Sequence, residues 1–397
     1  MAGRFFTSFS QQVETIGVGL YVYEVTRDPL ALGLAGLFTF LPQLLFFAFS
    51  GHLADTRDRR LIAALCYCLN AFSAFGLLML VSASVTNVAF IYALIALVGL
   101  SRVFAMPANQ AMLPNLVPVD ERPQAISLNS SISQVAIIAG PSVGGLLYTF
   151  GAPTVFMTAF VGHCIAAFAI WSIRAQSLAS AGETFTWGRV FEGLHFIRSR
   201  QVLFGAISLD LVSVLFAGVT ALLPIFATDI LNSGPQAFGL LRTSLGVGSL
   251  LTALWLTHSP IRRNAGAWML ASVAIFGAAI IAFGFSRALW LSMLCMFICG
   301  ASDMVSVVIR LSIIQNDTPD HMRGRVGSVN SLFIGASNSL GDFESGLVAG
   351  LIGVIPATII GGALGMLTPL LWFRVFPALA KRDALMSTVE RKSAEKI

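Results

Sequence analysis

Eight ionisable residues of this 397-residue chain sit where the sequence is otherwise apolar enough to cross a bilayer: Glu14, Arg102, Asp210, Arg242, Asp303, Arg310, Asp342 and Glu344. Each costs about 2.5–3.5 kcal/mol at the centre of a membrane-spanning helix, so eight unpaired ones would cost on the order of 20–28 kcal/mol. Such charges need partners or a watery cavity, and they mark routes for protons, ions or polar substrates. Their spacing predicts polar stripes. Thr7, Gln11 and Glu14 follow i, i+4, i+7; Asp303, Ser306 and Arg310 share a second face, and Asp210, Ser213 and Thr220 a third. The chemistry is proton exchange: a carboxylate exposed alternately to the two sides of a membrane can trade a proton for a substrate. One proton moving down ~100 mV releases roughly 2.3 kcal/mol, which sustains a substrate gradient of about fiftyfold. Glu14 is the first candidate for the coupling acid, then Asp210, with Asp303 beside them. Asp342 and Glu344, two residues apart, point to different sides of one helix, so at most one of them faces a cavity.

Other chemistries are poorly served. There is no Gly-rich phosphate loop for direct use of ATP and no His-Glu-x-x-His pair, so neither an enzyme nor a cofactor is expected. His163, the only histidine deep in an apolar stretch, reads as a buried packing residue. Cys66, Cys68, Cys164, Cys295 and Cys299 all fall inside predicted helices; neither a disulfide framework nor a metal site is expected.

The elements that must position these residues are spans. The chain is 56% hydrophobic and 11% charged, whereas soluble domains carry about a quarter charged residues. A span needs roughly 20 apolar residues, and twelve segments qualify: 4–25, 31–52, 61–81, 87–106, 124–150, 152–173, 201–229, 236–257, 265–285, 287–312, 323–352 and 354–376. The expected class is therefore all-α integral membrane protein. The longest connection, 174–200, holds apolar residues at helical spacing from Trp187 to Arg198 and predicts an amphipathic helix along the membrane surface. The first span begins almost at Met1, so no signal peptide is expected.

Charge placement predicts orientation. Eighteen Lys and Arg residues fall in the loops and tail on one side, against Arg27 and Arg287 on the other. The positive-inside rule then puts both termini in the cytoplasm of a multi-pass protein of the cell membrane. The net charge of +5 belongs to this asymmetry, and no nucleic-acid partner is expected.

The halves repeat. Sliding the sequence by 201 positions aligns 99–146 with 300–347 at eleven identities, among them Gly99/Gly300, Ser101/Ser302, Arg122/Arg323, Asn129/Asn330 and Gly140/Gly341. A second echo pairs Pro29-Leu30-Ala31-Leu32-Gly33-Leu34 with Pro235-Gln236-Ala237-Phe238-Gly239-Leu240. The expected organisation is a six-helix bundle at 1–173, a linker at 174–200, a second six-helix bundle at 201–376 facing the first, and a tail at 377–397.

Three motifs carry a family resemblance. The loop after span 2 reads Gly51-His52-Leu53-Ala54-Asp55-Thr56-Arg57-Asp58-Arg59-Arg60; span 4 holds Arg102; span 5 holds Gly140-Pro141-Ser142-Val143-Gly144-Gly145. Together they resemble the major facilitator superfamily over essentially the whole chain. Thr56 and Asp58 depart from that family's basic residue and glycine, so only part of the loop's charge network carries over. The segments 107–114 and 318–326 resemble the branch that includes enterobactin and drug exporters.

The resemblance implies several roles. Spans 1, 4, 7 and 10 would line a central cavity, with Gln11, Arg102, Asn109, Ser306 and Arg310 facing it. Gly51, Asp55, Arg59 and Arg60 would form a gate, Asp55 facing the start of span 11 near Arg323. Gly140, Pro141, Gly144 and Gly145 would be an antiporter-type packing motif. The implied function is export of a small amphiphilic molecule, such as a drug, a siderophore or another metabolite, by alternating access in exchange for protons. The expected partners are that substrate, protons and the bilayer, and the expected working unit is a monomer. An importer or lipid flippase on the same fold is the alternative, and a non-transporting scaffold or sensor the third.

Overall fold

The computed structural model describes residues 2–112, 117–173 and 187–383, and every regular element among them is helical. In chain order they are α1 (Ala2–Thr26), α2 (Pro29–Thr56), α3 (Arg59–Ser82), α4 (Val88–Met112), α5 (Arg122–Tyr148) and α6 (Ala152–Trp171). Then follow α7 (Trp187–Ser199), α8 (Gln201–Phe216), α9 (Leu223–Ile225), α10 (Gly234–His258) and α11 (Ala265–Phe285). The last are α12 (Leu289–Asp317), α13 (Asp320–Ile352), α14 (Val354–Val375) and α15 (Pro377–Ala380). Among the described residues, ten helical segments are long and apolar enough to cross a membrane. α1 (25 residues) and α13 (33 residues) have the length but carry more polar positions. The polar content of those two is what a site, rather than lipid, requires.

Local chemistry explains the helix ends. The Asp28 side chain accepts from the Leu30 amide at 2.9 Å with Pro29 at the first helical position, an N-cap that starts α2. Asp58 does the same for α3, accepting from the Arg60 amide at 2.9 Å. α2 therefore runs to Thr56, and the Gly51–Arg60 segment expected as a loop is the last turn of a helix plus the two-residue turn Arg57-Asp58. The substituted Asp58 has a local purpose, since it caps the helix that follows.

Span 7 is not one helix. α8 ends at Phe216, a 3-10 turn covers Thr220–Leu222, and a π turn covers Phe226–Ile230. Gly218 packs tightly on the backbone of Gly341, where a Cβ would sit 3.3 Å away, and Pro224 supplies no amide for a regular ladder. The break separates Thr220 from the Asp210–Ser213 face: its hydroxyl donates to Asp342 Oδ1 at 2.6 Å instead.

Contacts divide the chain into two compact units, 1–186 with 221–243, and 187–220 with 244–397. The segment 221–243, expected in the second bundle, packs in the first unit. Gly19 lies against Pro224 and Phe238, and the Tyr23 hydroxyl donates to Asp229 Oδ2 at 2.5 Å. The linker helix α7 belongs to the second unit. Gly193 lies against the Arg325 carbonyl, Arg325 Nη1 donates to Glu192 Oε2 at 2.5 Å, and Phe191 points outward.

Candidate functional site

In the first unit the polar face of α1 is buried against α6. Gly3, Thr7, Ser10, Glu14, Gly17 and Tyr21 repeat in steps of four and three, and all are buried. That heptad-like spacing keeps one stripe on one neighbour. Gly3 meets Ala166 and Ala169, Ser10 lies on Gly162, Gly17 meets Val155 and Phe156, and Tyr21 stacks edge-on to Phe156. Glycines at 3, 17 and 162 let the two backbones approach closely.

At the middle of this seam Glu14 is 3% exposed and His163 0% exposed. Glu14 Oε2 and His163 Nε2 are 3.1 Å apart. Glu14 Oε1, His163 Nδ1, Ser10 Oγ and Thr7 Oγ1 are buried with no hydrogen-bond partner. His163 is thus not the plain packing residue expected from its surroundings. The helix face differs too: Ser10, not Gln11, lies between Thr7 and Glu14 on the buried stripe, while Gln11 is half-buried to one side.

Arg102 on α4 is exposed, yet it is within electrostatic reach of Glu14. About two turns along the same helix, Asn109 accepts from the Tyr67 hydroxyl at 3.1 Å, inside the core shared by α3, α4 and α6. This bond turns Asn109 toward α3 rather than leaving it free for a cavity. Arg59 is buried, and Arg60 Nη2 donates to the Trp171 carbonyl at 2.6 Å, a cation at the C-terminus of α6. The side-chain surroundings of Gly51 and Asp55 lie outside the described residues.

The α5 motif packs on two neighbours. Gly140 lies against Gln12 of α1, and a Cβ on Gly144 would sit 3.1 Å from Ile16. A Cβ on Gly145 would sit 2.9 Å from the Pro235 carbonyl, at the start of α10. Gly239 in turn lies against Pro141. Gly140 to Gly144 also spells Gly-x-Ser-x-Gly, but inside a helix, where Ser142 Oγ shares a hydrogen with Thr243 Oγ1 at 2.7 Å. No strand-to-helix turn exposes that hydroxyl, so it is no hydrolase nucleophile.

In the second unit the predicted face of α12 meets α8. Arg310 forms an ion pair with Asp210, and the two side chains are 3% and 9% exposed. Asp303 and Ser306, on the same face of α12, line a cavity of about 10 Å³ with Asp210, Ser213, Ser272 and Ser302. That volume holds about one water. The Arg310 Nε and Ser306 Oγ atoms are buried without partners. Asp210 and Asp303 thus line one cavity, and Arg310 pairs with Asp210 and lies within electrostatic reach of Asp303. Among the described residues no cluster of His, Cys, Asp and Glu could hold a metal.

Sequence reasoning missed His163, Ser10, Tyr67 and the Ser272–Ser302 lining. The small residues Gly3, Ser10 and Gly17, at heptad spacing with Glu14, were the available signal for the buried face of α1. Nothing local marks His163 as the partner of a residue 149 positions away.

Comparison with known proteins agrees with this architecture. A sequence family described as transmembrane secretion effector matches residues 2–395. A macrolide efflux protein of Streptococcus pyogenes is 22% identical over 370 residues, covering 91% of each chain. The enterobactin exporter of Escherichia coli O1:K1 is 23% identical over 369 residues, covering 92% of this chain and 84% of its own. The crystal structure of the nucleoside transporter NupG superimposes with a TM-score of 0.73 at 13% identity, over 94% of this chain and 97% of that one. At that identity the likeness shows the fold.

Proposed function

We propose, from the premise that this chain belongs to the transmembrane secretion effector family of the major facilitator superfamily, that it exports a small amphiphilic molecule in exchange for protons. Membership makes it a multi-pass membrane transporter of small molecules and not an enzyme. Export, proton exchange and orientation are the proposed part. The relatives compared are efflux proteins, for a macrolide in one case and enterobactin in another. The cargo of this chain is an amphiphile of that general kind. The arginine-rich loops place both termini in the cytoplasm, and a single chain is the working unit.

One observation carries the proton reading: Asp303 lines a cavity with Asp210, and Arg310, within electrostatic reach of Asp303, is ion-paired with Asp210. Arg310 is always charged, so its pairing with Asp210 is permanent. Asp303 is the carboxylate left without a full countercharge, and in a low-dielectric site that surplus is costly. A proton on Asp303 removes it. Alternating access then exposes the same acid first to the outer proton supply and then to the inner cargo. Glu14 is the candidate acid of the first unit.

The test is uptake of a fluorescent lipophilic cation into energised inside-out vesicles, with Asp303→Asn, Glu14→Gln and Asp210→Asn as variants. Uptake in wild type that collapses when the proton gradient is dissipated, and that is lost in Asp303→Asn, is the expected result. Uptake that survives dissipation of the gradient overturns proton exchange. Gradient-driven uptake that survives Asp303→Asn overturns the assignment of that residue.

A further inference from the structure

We infer that the first unit holds a second, sealed proton site whose acceptor is shared between Glu14 and His163. This inference deepens the proton-exchange reading and rests on it. It concerns a residue pair and a helix seam, α1 against α6, rather than a cavity wall.

With Glu14 ionised, the bond between Oε2 and Nε2 requires the hydrogen on Nε2, because a carboxylate only accepts. The other ring nitrogen, Nδ1, then carries a free lone pair. It is buried and without a partner, as is the second carboxylate oxygen. Nδ1 and Oε1 are the two atoms that can receive an incoming proton. The accounting is simple. Unloaded, the pair is a carboxylate and a neutral imidazole, with net charge of about −1. Loaded, it is a carboxylate and an imidazolium, or an acid and an imidazole, with net charge near zero. One proton enters or leaves, and no bond other than O–H or N–H is made or broken.

The route is marked by the two remaining orphaned atoms. Ser10 Oγ and Thr7 Oγ1 are buried, unpartnered and on the same stripe of α1, leading from Glu14 toward the start of the helix. From Glu14 to Thr7 is about 10 Å along the axis at 1.5 Å per residue. Hydroxyls both donate and accept, and because none of these atoms bonds to another, a proton passes along the row through water between them. A row of unsatisfied buried polar atoms in an otherwise close-packed seam is rare, and water and a proton fit its chemistry.

Few other charges bear on the pair. Arg102 of α4 is within electrostatic reach of Glu14. Between Arg122 and Tyr148, α5 has no titratable residue, and neither has α2 between Pro29 and Phe47. At the ends of the seam Arg4 donates to Ser133, Tyr148 donates to Glu24, and Asp229 is held by Tyr23. The basic residues Arg59 and Arg60, on α3 beside α6, lie at its arginine-rich end.

The experiment is infrared difference spectroscopy of the purified full chain between mildly acidic and mildly alkaline buffer, alongside vesicle uptake. Wild type should show imidazole ring bands together with a carboxyl band. His163→Gln, whose amide can still donate to Glu14 and so preserve the fold, should lose the imidazole bands and most proton-driven uptake. Ser10→Ala should slow proton-driven uptake and leave the bands in place. Asp303→Asn should keep the imidazole bands, which separates this site from the one in the second unit. Proton-driven uptake unchanged in His163→Gln, with no imidazole band in wild type, overturns the shared site and leaves proton exchange standing. An imidazole band without gradient-driven uptake overturns proton exchange and leaves the shared site. Uptake driven by a sodium gradient and abolished by Ser10→Ala overturns the proton assignment in favour of a metal cation on the same oxygens.

Discussion

The two halves of the chain each bury an acid deep in the membrane, and they give it different partners. Glu14 in the first unit faces His163, a group that exists both with and without its charge. Asp210 in the second faces Arg310, a group that does not. The sequence repeat makes the contrast sharper. At the offset of 201 residues Arg102 aligns with Asp303 and Asn109 with Arg310, so the sign of the charge on the repeated helix is reversed. The same scaffold position carries a cation in one half and an acid in the other. A duplicated bundle can thus hold one fixed ion pair and one exchangeable pair without a change of fold.

Breaking the fixed pair should have the largest effect. Arg310→Met leaves Asp210 buried without its cation and should destabilise the protein by about 3–5 kcal/mol. His163→Gln keeps a hydrogen-bond donor on Glu14 and should cost no more than about 1 kcal/mol. Thermal unfolding of the detergent-solubilised variants measures both, and equal losses would erase the distinction between the pairs.

The double variant Asp210→Asn with Arg310→Met sharpens the same point. Replacing a buried pair by neutral groups is often close to neutral, so this protein should recover most of the loss seen in Arg310→Met, roughly 2 kcal/mol or more. Its proton-driven uptake should stay abolished, because Asp303 has lost the cation within its electrostatic reach. Recovery of uptake together with stability would show the second-unit charges to be structural only.

The smallest effect should come from Tyr67→Phe, which removes the hydroxyl from Asn109. About 1 kcal/mol of stability should be lost, with uptake unchanged. A loss of uptake without a loss of stability would return Asn109 to the substrate path.

Much of the fold was legible in the chain. Long apolar runs gave helices whose ends moved by a few residues, since caps such as Asp28 and Asp58 act locally. The exception was span 7, where Gly218 against Gly341 and the amide-free Pro224 break the helix; that close approach comes from a partner 123 residues later, beyond any local pattern. The polar stripe of α1 was half legible. Glu14 and Thr7 were on it, but Gln11 competed with Ser10 for the place between them, and only the contact with Gly162 decides.

By itself the sequence determined that this chain crosses the membrane repeatedly, that its halves repeat, that its arginines gather at one end, and that it carries charges too costly to face lipid. Those follow from composition and spacing, which act within one helix. Tertiary structure alone decided which charge meets which. Glu14 meets His163 across 149 positions and Asp210 meets Arg310 across 100. Helices that are apolar on nearly every side, such as α6 and α11, have no hydrophobic stripe in the sequence to say how they turn about their axes. Their rotation is set by packing against neighbours, through small residues such as Gly17 and Gly162 that let backbones approach.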